Sequence, residues 1–262
     1  MVARTNWSQA MTARFFADIA LLPGTVTSLP ERAARHVQVL RLQPGEPIVL
    51  FNGKGNGSSG EGEFVATISS MGRSDVQVSV GAYSATRRET GRAVGLAICM
   101  PANERMDWLV EKATELGVSS IQPLVSERSV LRITGERADK KLTHWRGIAE
   151  ATCEQCGRNL LPVLHQVAGL REWLRDEASR APAAGGMRLL LSLQSGAAAL
   201  AEAVVGAGAV TFLSGPEGGL TPAEEAAALA CGFAPVSLGP RVLRADTAPL
   251  ACLAFLALLS PA

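Results

Sequence analysis

The chain has 262 residues, of which 47% are hydrophobic and 19% charged, with 25 Lys+Arg against 24 Asp+Glu. That length holds one large domain or two ordinary ones, and the composition excludes disordered, collagen-like and coiled-coil classes. The charge balance excludes a protein that coats nucleic acid by charge alone, so any nucleic-acid contact has to be local.

The N-terminal residues carry no signal-like apolar stretch, and Met11 offers a second start after ten residues without periodic pattern. From Arg14 to Tyr83 the pattern is short and strand-like. Pro47–Phe51, Phe64–Ile68 and Val76–Val80 alternate or cluster β-branched residues, with turns at Pro44-Gly45, Asn52-Gly53 and the run Gly53 to Gly62. A small barrel over 14–83 is expected, with one helix over Pro30 to Leu40. Ala34, Val37 and Leu40 lie on one face of that helix, and Arg32, Arg35, His36 and Arg41 off it. The polar stretch 84–92 has no apolar anchor and reads as a linker.

Beyond the linker, over 93–262, strands and helices alternate, which predicts an α/β domain with a mainly parallel sheet. In chain order the expected elements are strand Ala93–Met100, helix Glu104–Leu116, strand Ser120–Leu124, a long helix over Ala138–Cys156 and a strand near Arg188–Leu193. A helix over Ala198–Val205, strand Ala209–Leu213, helix Pro222–Ala230, strand Pro235–Leu238 and a terminal helix from Thr247 to Leu259 complete the set. The terminal helix is apolar almost all the way round, so it is expected in a core or in an interface with another chain. The run that contains it, Pro249 to Leu259, falls far short of the ~20 residues a membrane span needs.

Four stretches carry candidate chemistry. Val125–Val130 ends a strand with Glu127, Arg128 and two serines, and Arg128 is a candidate contact for an anion or a base edge. Cys153-x-x-Cys156 closes the long helix before Gly157, Arg158 and Asn159. A redox pair works at a helix start, where the dipole lowers the thiol pKa, and a zinc site needs a second ligand pair that the scattered His36, His144 and His165 do not supply. No metal is expected, and an odd count of five cysteines fits the reducing cytoplasm. Arg158 either points a fixed cation into a cleft or complements the helix dipole. Ser214-Gly215-Pro216-Glu217-Gly218-Gly219 leads from a buried strand into a fully written helix start, with Thr221 as cap, Pro222 at the first helical position and Glu224 completing a capping box. Leu238–Ala248 ends the next strand with Arg241 and Arg244 on the loop, and with Asp246 or Thr247 to cap the terminal helix. Neither glycine loop matches a phosphate-binding fingerprint, so a dinucleotide or nucleoside triphosphate is not indicated.

Taken in order and spacing, Lys112–Val118, Ser126–Ser129, Cys153–Arg158, Gly215–Gly219 and Leu238–Arg244 resemble the RsmE-type 16S rRNA (uracil-N3) methyltransferases of the SPOUT class. His36–Leu42 and Pro44-Gly45 resemble that family's PUA-like N-terminal domain, so the similarity covers nearly the whole chain. The resemblance implies a C-terminal domain tied in a deep trefoil knot, a homodimer built on the terminal helix, and S-adenosylmethionine as cofactor. It implies a cofactor site formed by Leu191, Leu213, Gly215, Pro216, Glu217, Gly218, Leu238, Gly239, Arg241, Val242 and Leu243. The implied substrate is one uridine of 16S rRNA, 1498 in the family, on the small ribosomal subunit. Uracil N3 must lose its proton before it attacks a methyl group, which assigns anion stabilisation to Arg128 and Arg158 and proton removal to Glu217 or Glu154. Arg32, Arg35, His36, Arg41 and Arg128 are the expected RNA contacts. Relatives commonly carry Glu-Thr-Ala or Ser-Thr-Ala where this chain has Asp246-Thr247-Ala248, which argues against this acid as the base. Two other readings stand beside this one: a knotted methyltransferase acting on another nucleoside or a ribose 2′-hydroxyl, and a non-catalytic RNA-binding module.

Overall fold

The computed structural model describes residues 12–53, 62–179, 185–206 and 208–259; Met11 and most of the Gly53 to Gly62 run lie outside them. The chain divides into two compact units, Met1–Arg88 with Cys153–Leu160, and Glu89–Thr152 with Leu161–Ala262.

In the first unit β1 (Arg14–Phe16), β2 (Val26–Ser28), α1 (Glu31–Val39), β3 (Pro47–Phe51), β4 (Glu63–Met71) and β5 (Val76–Ser84) follow one another. They build a five-stranded sheet in the order β1-β3-β4-β5-β2, parallel only between β1 and β3. Alternation along the strands sends Ile48, Leu50, Phe64, Ala66, Ile68, Val76, Val78 and Val80 to one face, where they meet Ala33, Ala34 and Val37 of α1. β5 runs to Ser84, one residue into the polar stretch that reads as a linker. The last turn of the long helix and the residues that follow it, Cys153–Leu160, cluster with this unit, a long-range grouping that no local pattern announces.

The second unit contains β6 (Val94–Cys99), α2 (Asn103–Glu115), β7 (Ser120–Val125), α3 (Gly135–Cys156, up to Thr152), β8 (Val163–Leu164), β9 (Ala168–Gly169) and α4 (Leu170–Ala178). It continues with β10 (Met187–Leu191), β11 (Ala198–Ala199), α5 (Leu200–Ala203), β12 (Val210–Ser214), α6 (Pro222–Ala230), β13 (Ala234–Ser237) and α7 (Thr247–Leu259). Its sheet runs β11-β13-β10-β12-β6-β7-β8, with β9 also on β7, and the pairings among described residues are all parallel. Both faces are covered, as a parallel sheet requires. Val94, Leu96 and Ile98 of β6 join a core with side chains of α2, α3 and α7, while Ala97 and Cys99 join a second core with Leu170 and Leu174 of α4 and Ala228 of α6. Trp145 of α3 is fully buried in the first core, and its indole N–H donates to Asp107 Oδ1 of α2 at 2.8 Å.

The expected helix over Ala198–Val205 contracts to α5, because Ala198 and Ala199 pair with Val236 and Ser237 at the sheet edge instead. Helix α4 has no counterpart among the expected elements, although Leu170 and Leu174 lie one turn apart and are both buried. β8 and β9, two residues each, are too short for any periodicity to reveal.

Candidate active site

The order of the sheet decides where a cavity forms. β12 and β13 flank β10, so the loops leaving their carboxyl ends meet above that strand. The loop after β12 runs from Gly215 to Thr221. Thr221 then caps α6, its hydroxyl accepting from Glu224 N–H at 3.3 Å while Glu224 Oε2 accepts from Thr221 N–H at 2.9 Å. The capping box foreseen in the sequence is thus present. Glu224 does more than cap. It is 1% exposed, and its second oxygen accepts from the backbone N–H of Glu127 at 2.8 Å, tying the loop after β7 to the start of α6.

Between the two loops lies a cavity of about 430 Å³, within the range of small-molecule sites. Leu191, Gly215, Pro216, Glu217, Leu238, Gly239, Arg241, Val242 and Leu243 line it. Two other expected members do not. Leu213 is fully buried in the core shared with α4 and α6, because alternation along β12 turns it into the sheet's far layer. Gly218 faces the loop after β7 instead: a Cβ there would stand 3.3 Å from Arg128 Cβ, so the two loops pack at a distance that only glycine leaves comfortable. The cavity also takes in Ser192, Leu193, Glu225 and Arg244, which sequence reasoning did not assign to it. Glu225 accepts from Ser192 Oγ at 3.4 Å and from Gln194 Nε2, so a carboxylate stands in the cavity wall. Its only signal in the sequence was its place one residue after the capping Glu224. Asp246 Oδ1, just before α7, is buried and has no hydrogen-bond partner among the described residues.

Arg128 and Glu217 both belong to this second unit. Arg128 is exposed and donates through Nη1 to the carbonyls of Gly218 at 3.0 Å and Leu220 at 3.4 Å, laying its guanidinium along the glycine loop. Glu217 is exposed, with Oε1 3.4 Å from the N–H of Ala102.

Glu154, Arg158 and the α1 residues belong to the first unit. Glu154 is fully engaged there: Oε1 accepts from Phe16 N–H at 2.9 Å and Oε2 lies 3.1 Å from His36 Nδ1. His36 also meets Phe15 edge-on at 5.2 Å, so its ring is a packing and pairing group. Arg158 is 4% exposed, in the turn after α3, where Gly157 takes a left-handed φ of 89° and ends the helix as expected. Arg32, Arg35 and Arg41 are exposed. Arg41 takes φ 58°, a conformation usually left to glycine at a helix end. None of the five cysteines forms a disulfide, Cys153 is buried with its thiol 3.5 Å from the carbonyl of Leu160, and no cluster of three or more metal-ligating side chains occurs among the described residues.

A model of an RNA methyltransferase domain matches residues 88–257, and a model of an RNA methyltransferase PUA domain matches residues 29–81. The ribosomal RNA small subunit methyltransferase E of Mycobacterium bovis is 30% identical over 242 residues, covering 89% of this chain and 87% of the relative. That of Synechocystis is 30% identical over 236 residues, covering 89% of this chain and 73% of the relative. Among solved structures, the ribosomal RNA small subunit methyltransferase E of Neisseria gonorrhoeae, bound to S-adenosyl methionine, superposes with a TM-score of 0.85 at 36% identity, covering 95% of this chain and 98% of the other.

Proposed function

The chain belongs to the ribosomal RNA small subunit methyltransferase E family, and from that premise we propose that it methylates N3 of one uridine in 16S rRNA, the family's uridine 1498. The cofactor is S-adenosylmethionine, as in the Neisseria gonorrhoeae relative. The observation that carries the reading is the cavity between the Gly215–Gly219 and Leu238–Leu243 loops, built from the stretches on which the family resemblance rests.

The cavity suits that cofactor on its own terms. Leu191, Leu238, Val242 and Leu243 offer apolar wall to a base, glycine loops present backbone N–H and C=O groups to its edge, and no phosphate cradle is needed. Glu217 and Glu225 bring acceptors for hydroxyl or ammonium donors. Bound there, S-adenosylmethionine supplies a methyl group activated by its sulfonium.

The chain's own residues handle the proton and the charge. Uracil N3 is a poor nucleophile while protonated, and deprotonation places negative charge on the ring oxygens. Arg128 and Arg158 hold that charge, and Glu217 accepts the proton. Glu217 is preferred over Glu154 because both oxygens of Glu154 already accept or pair within the first unit. Arg128 exchanges its two weak carbonyl partners for the uracil oxygens, a change that costs little for an exposed side chain. Exposed Arg32, Arg35 and Arg41 contact RNA phosphates, positioning the substrate without reading its sequence. A base held in the stack is flipped out first.

The same reading includes the trefoil knot, a homodimer, the small ribosomal subunit as partner and a cytoplasmic setting that suits five cysteines outside any disulfide. For the knot, the support is that the chain leaves β13 on one side of β10 and returns to pack α7 against β12 and α2 on the other. For the dimer, it is the apolar surface around α7: Leu258 is 86% exposed, and Trp108, Leu250, Ala251 and Ala254 line a shallow apolar depression. Sedimentation at micromolar concentration is expected to give twice the monomer mass.

Calorimetric titration with S-adenosylmethionine and a methyl-transfer assay test the catalytic assignment. Arg128→Ala and Arg158→Ala are each expected to slow transfer about 100- to 1,000-fold while binding the cofactor as the wild type does. Full transfer by both variants overturns it.

A further inference from the structure

The turn that carries Arg158 is held on both sides by side chains of the first unit. Gly157 O accepts from Arg14 Nη2 at 3.2 Å and from Arg88 Nη1 at 3.0 Å. Asn159, 2% exposed, accepts from Arg14 Nη2 at 2.7 Å and donates to Thr86 O at 3.0 Å. One turn earlier, Glu154 is fastened by Phe16 N–H and His36. The residues before and after Arg158 are therefore both fastened, Gly157 through its carbonyl and Asn159 through its side-chain amide, and among the described residues Arg14 is the side chain whose hydrogen bonds reach both.

Arg14 is itself fixed. Its Nη1 pairs with Glu63, which Arg88 also pairs at 2.8 Å, and its guanidinium lies 5.2 Å from the centre of the Phe51 ring. Its side chain is only 13% exposed, and both terminal nitrogens are spent inside the protein, so it has little to offer an RNA phosphate. A planar fork that satisfies a carboxylate with one nitrogen and two turn acceptors with the other is a task for arginine that lysine's single ammonium does not match.

We infer that Arg14 is a positioning residue for methyl transfer: through Gly157 O and Asn159 Oδ1 it sets the place from which Arg158 acts. The inference rests on the catalytic assignment of Arg158 made above. Its physical content is that a guanidinium stabilises developing charge only at the right distance, and a displacement of about 1 Å costs about 100-fold in rate.

The test is steady-state methyl transfer by Arg14→Ala, Arg158→Ala and the double variant, with cofactor affinity and melting measured in parallel. Arg14→Ala leaves Glu63 paired with Arg88, so no carboxylate is stranded. We expect kcat to fall about 100-fold, with KM for RNA and Kd for S-adenosylmethionine within about twofold of wild type. The double variant should be no slower than Arg158→Ala alone, because Arg14 has nothing left to position. Wild-type kcat in Arg14→Ala, or a double variant slower by the product of the two single losses, overturns the inference while leaving the role of Arg158 intact. A fully active Arg158→Ala overturns both, and does so before Arg14 is considered. If Arg14→Ala does not fold, Asn159→Ala removes the same acceptor with the Arg14–Glu63 pair in place, and the same pattern of kcat, KM and non-additivity decides.

Discussion

Replacing Glu224 by glutamine removes a charge and one acceptor from a fully buried junction. The carboxylate accepts from Glu127 N–H at 2.8 Å through one oxygen, and from Thr221 N–H at 2.9 Å and Thr221 Oγ at 3.2 Å through the other. A glutamine amide presents one oxygen and one NH2 group, so in either orientation one backbone N–H faces another donor. An orphaned buried donor costs about 1–3 kcal/mol, and the surviving bond loses its charge assistance, worth about 1 kcal/mol more. The expected total is about 2–4 kcal/mol, against about 1 kcal/mol for Thr221→Ala, which removes only the cap. Urea unfolding followed by the fluorescence of Trp108, Trp145 and Trp173, all in the second unit, reads the difference. The variant should also transfer methyl groups more slowly, because Glu127 N–H no longer holds the loop that presents Arg128. A Glu224→Gln variant within about 0.5 kcal/mol of wild type would refute the reasoning, since a buried carboxylate with three donors cannot be that cheap to neutralise.

Gly218→Ala puts a methyl group 3.3 Å from Arg128 Cβ and should slow methyl transfer more than it weakens cofactor binding, because Gly218 does not line the cavity; a parallel loss in both would contradict this. Arg41→Gly relieves a left-handed backbone and should stabilise the first unit by about 1 kcal/mol while weakening RNA binding, measured by melting and by filter binding. Burial alone would raise the Glu63 pKa, but hydrogen bonds and charge from Arg88 and Arg14 outweigh it and hold it below the ordinary 4.5. Its stabilisation is therefore complete above that value and is lost as pH falls through the lower folded pKa, so Glu63→Gln should narrow the stability gap to wild type only in that acid range. Burial pushes the Cys99 and Cys252 thiols up to about 12, so neither should be alkylated in the folded protein at pH 8.

What the sequence made legible was local. The capping box at Thr221–Glu224 and the helix end at Gly157 are written in neighbouring residues, and each formed as its chemistry requires. The cavity loops were legible because turn glycines beside β-strand runs mark the carboxyl edge of a parallel sheet. The missing parts depend on pairs far apart in the chain. Ser192 and Glu225 meet across 33 residues, Arg14 reaches Asn159 across 145, and Glu224 reaches Glu127 across 97. No periodicity encodes such contacts. Glu154 shows the cost of reading a charge without its partners: a carboxylate beside an arginine suggests acid–base chemistry, whereas Phe16 and His36 make it a fastening. Leu213 shows the complementary error, since Ser214 and Gly215, which follow it, line the cavity while strand alternation turns it into the core beneath α4 and α6.

The most direct measurement is the identity of the methylated nucleoside. Small ribosomal subunits from a strain lacking this activity are incubated with the protein and labelled S-adenosylmethionine, the 16S rRNA is digested, and the nucleosides are separated by mass spectrometry. Label in 3-methyluridine, strongly reduced with Arg128→Ala, is the predicted result. Label in a 2′-O-methyl nucleoside or another base, or no label with bound cofactor, would contradict it.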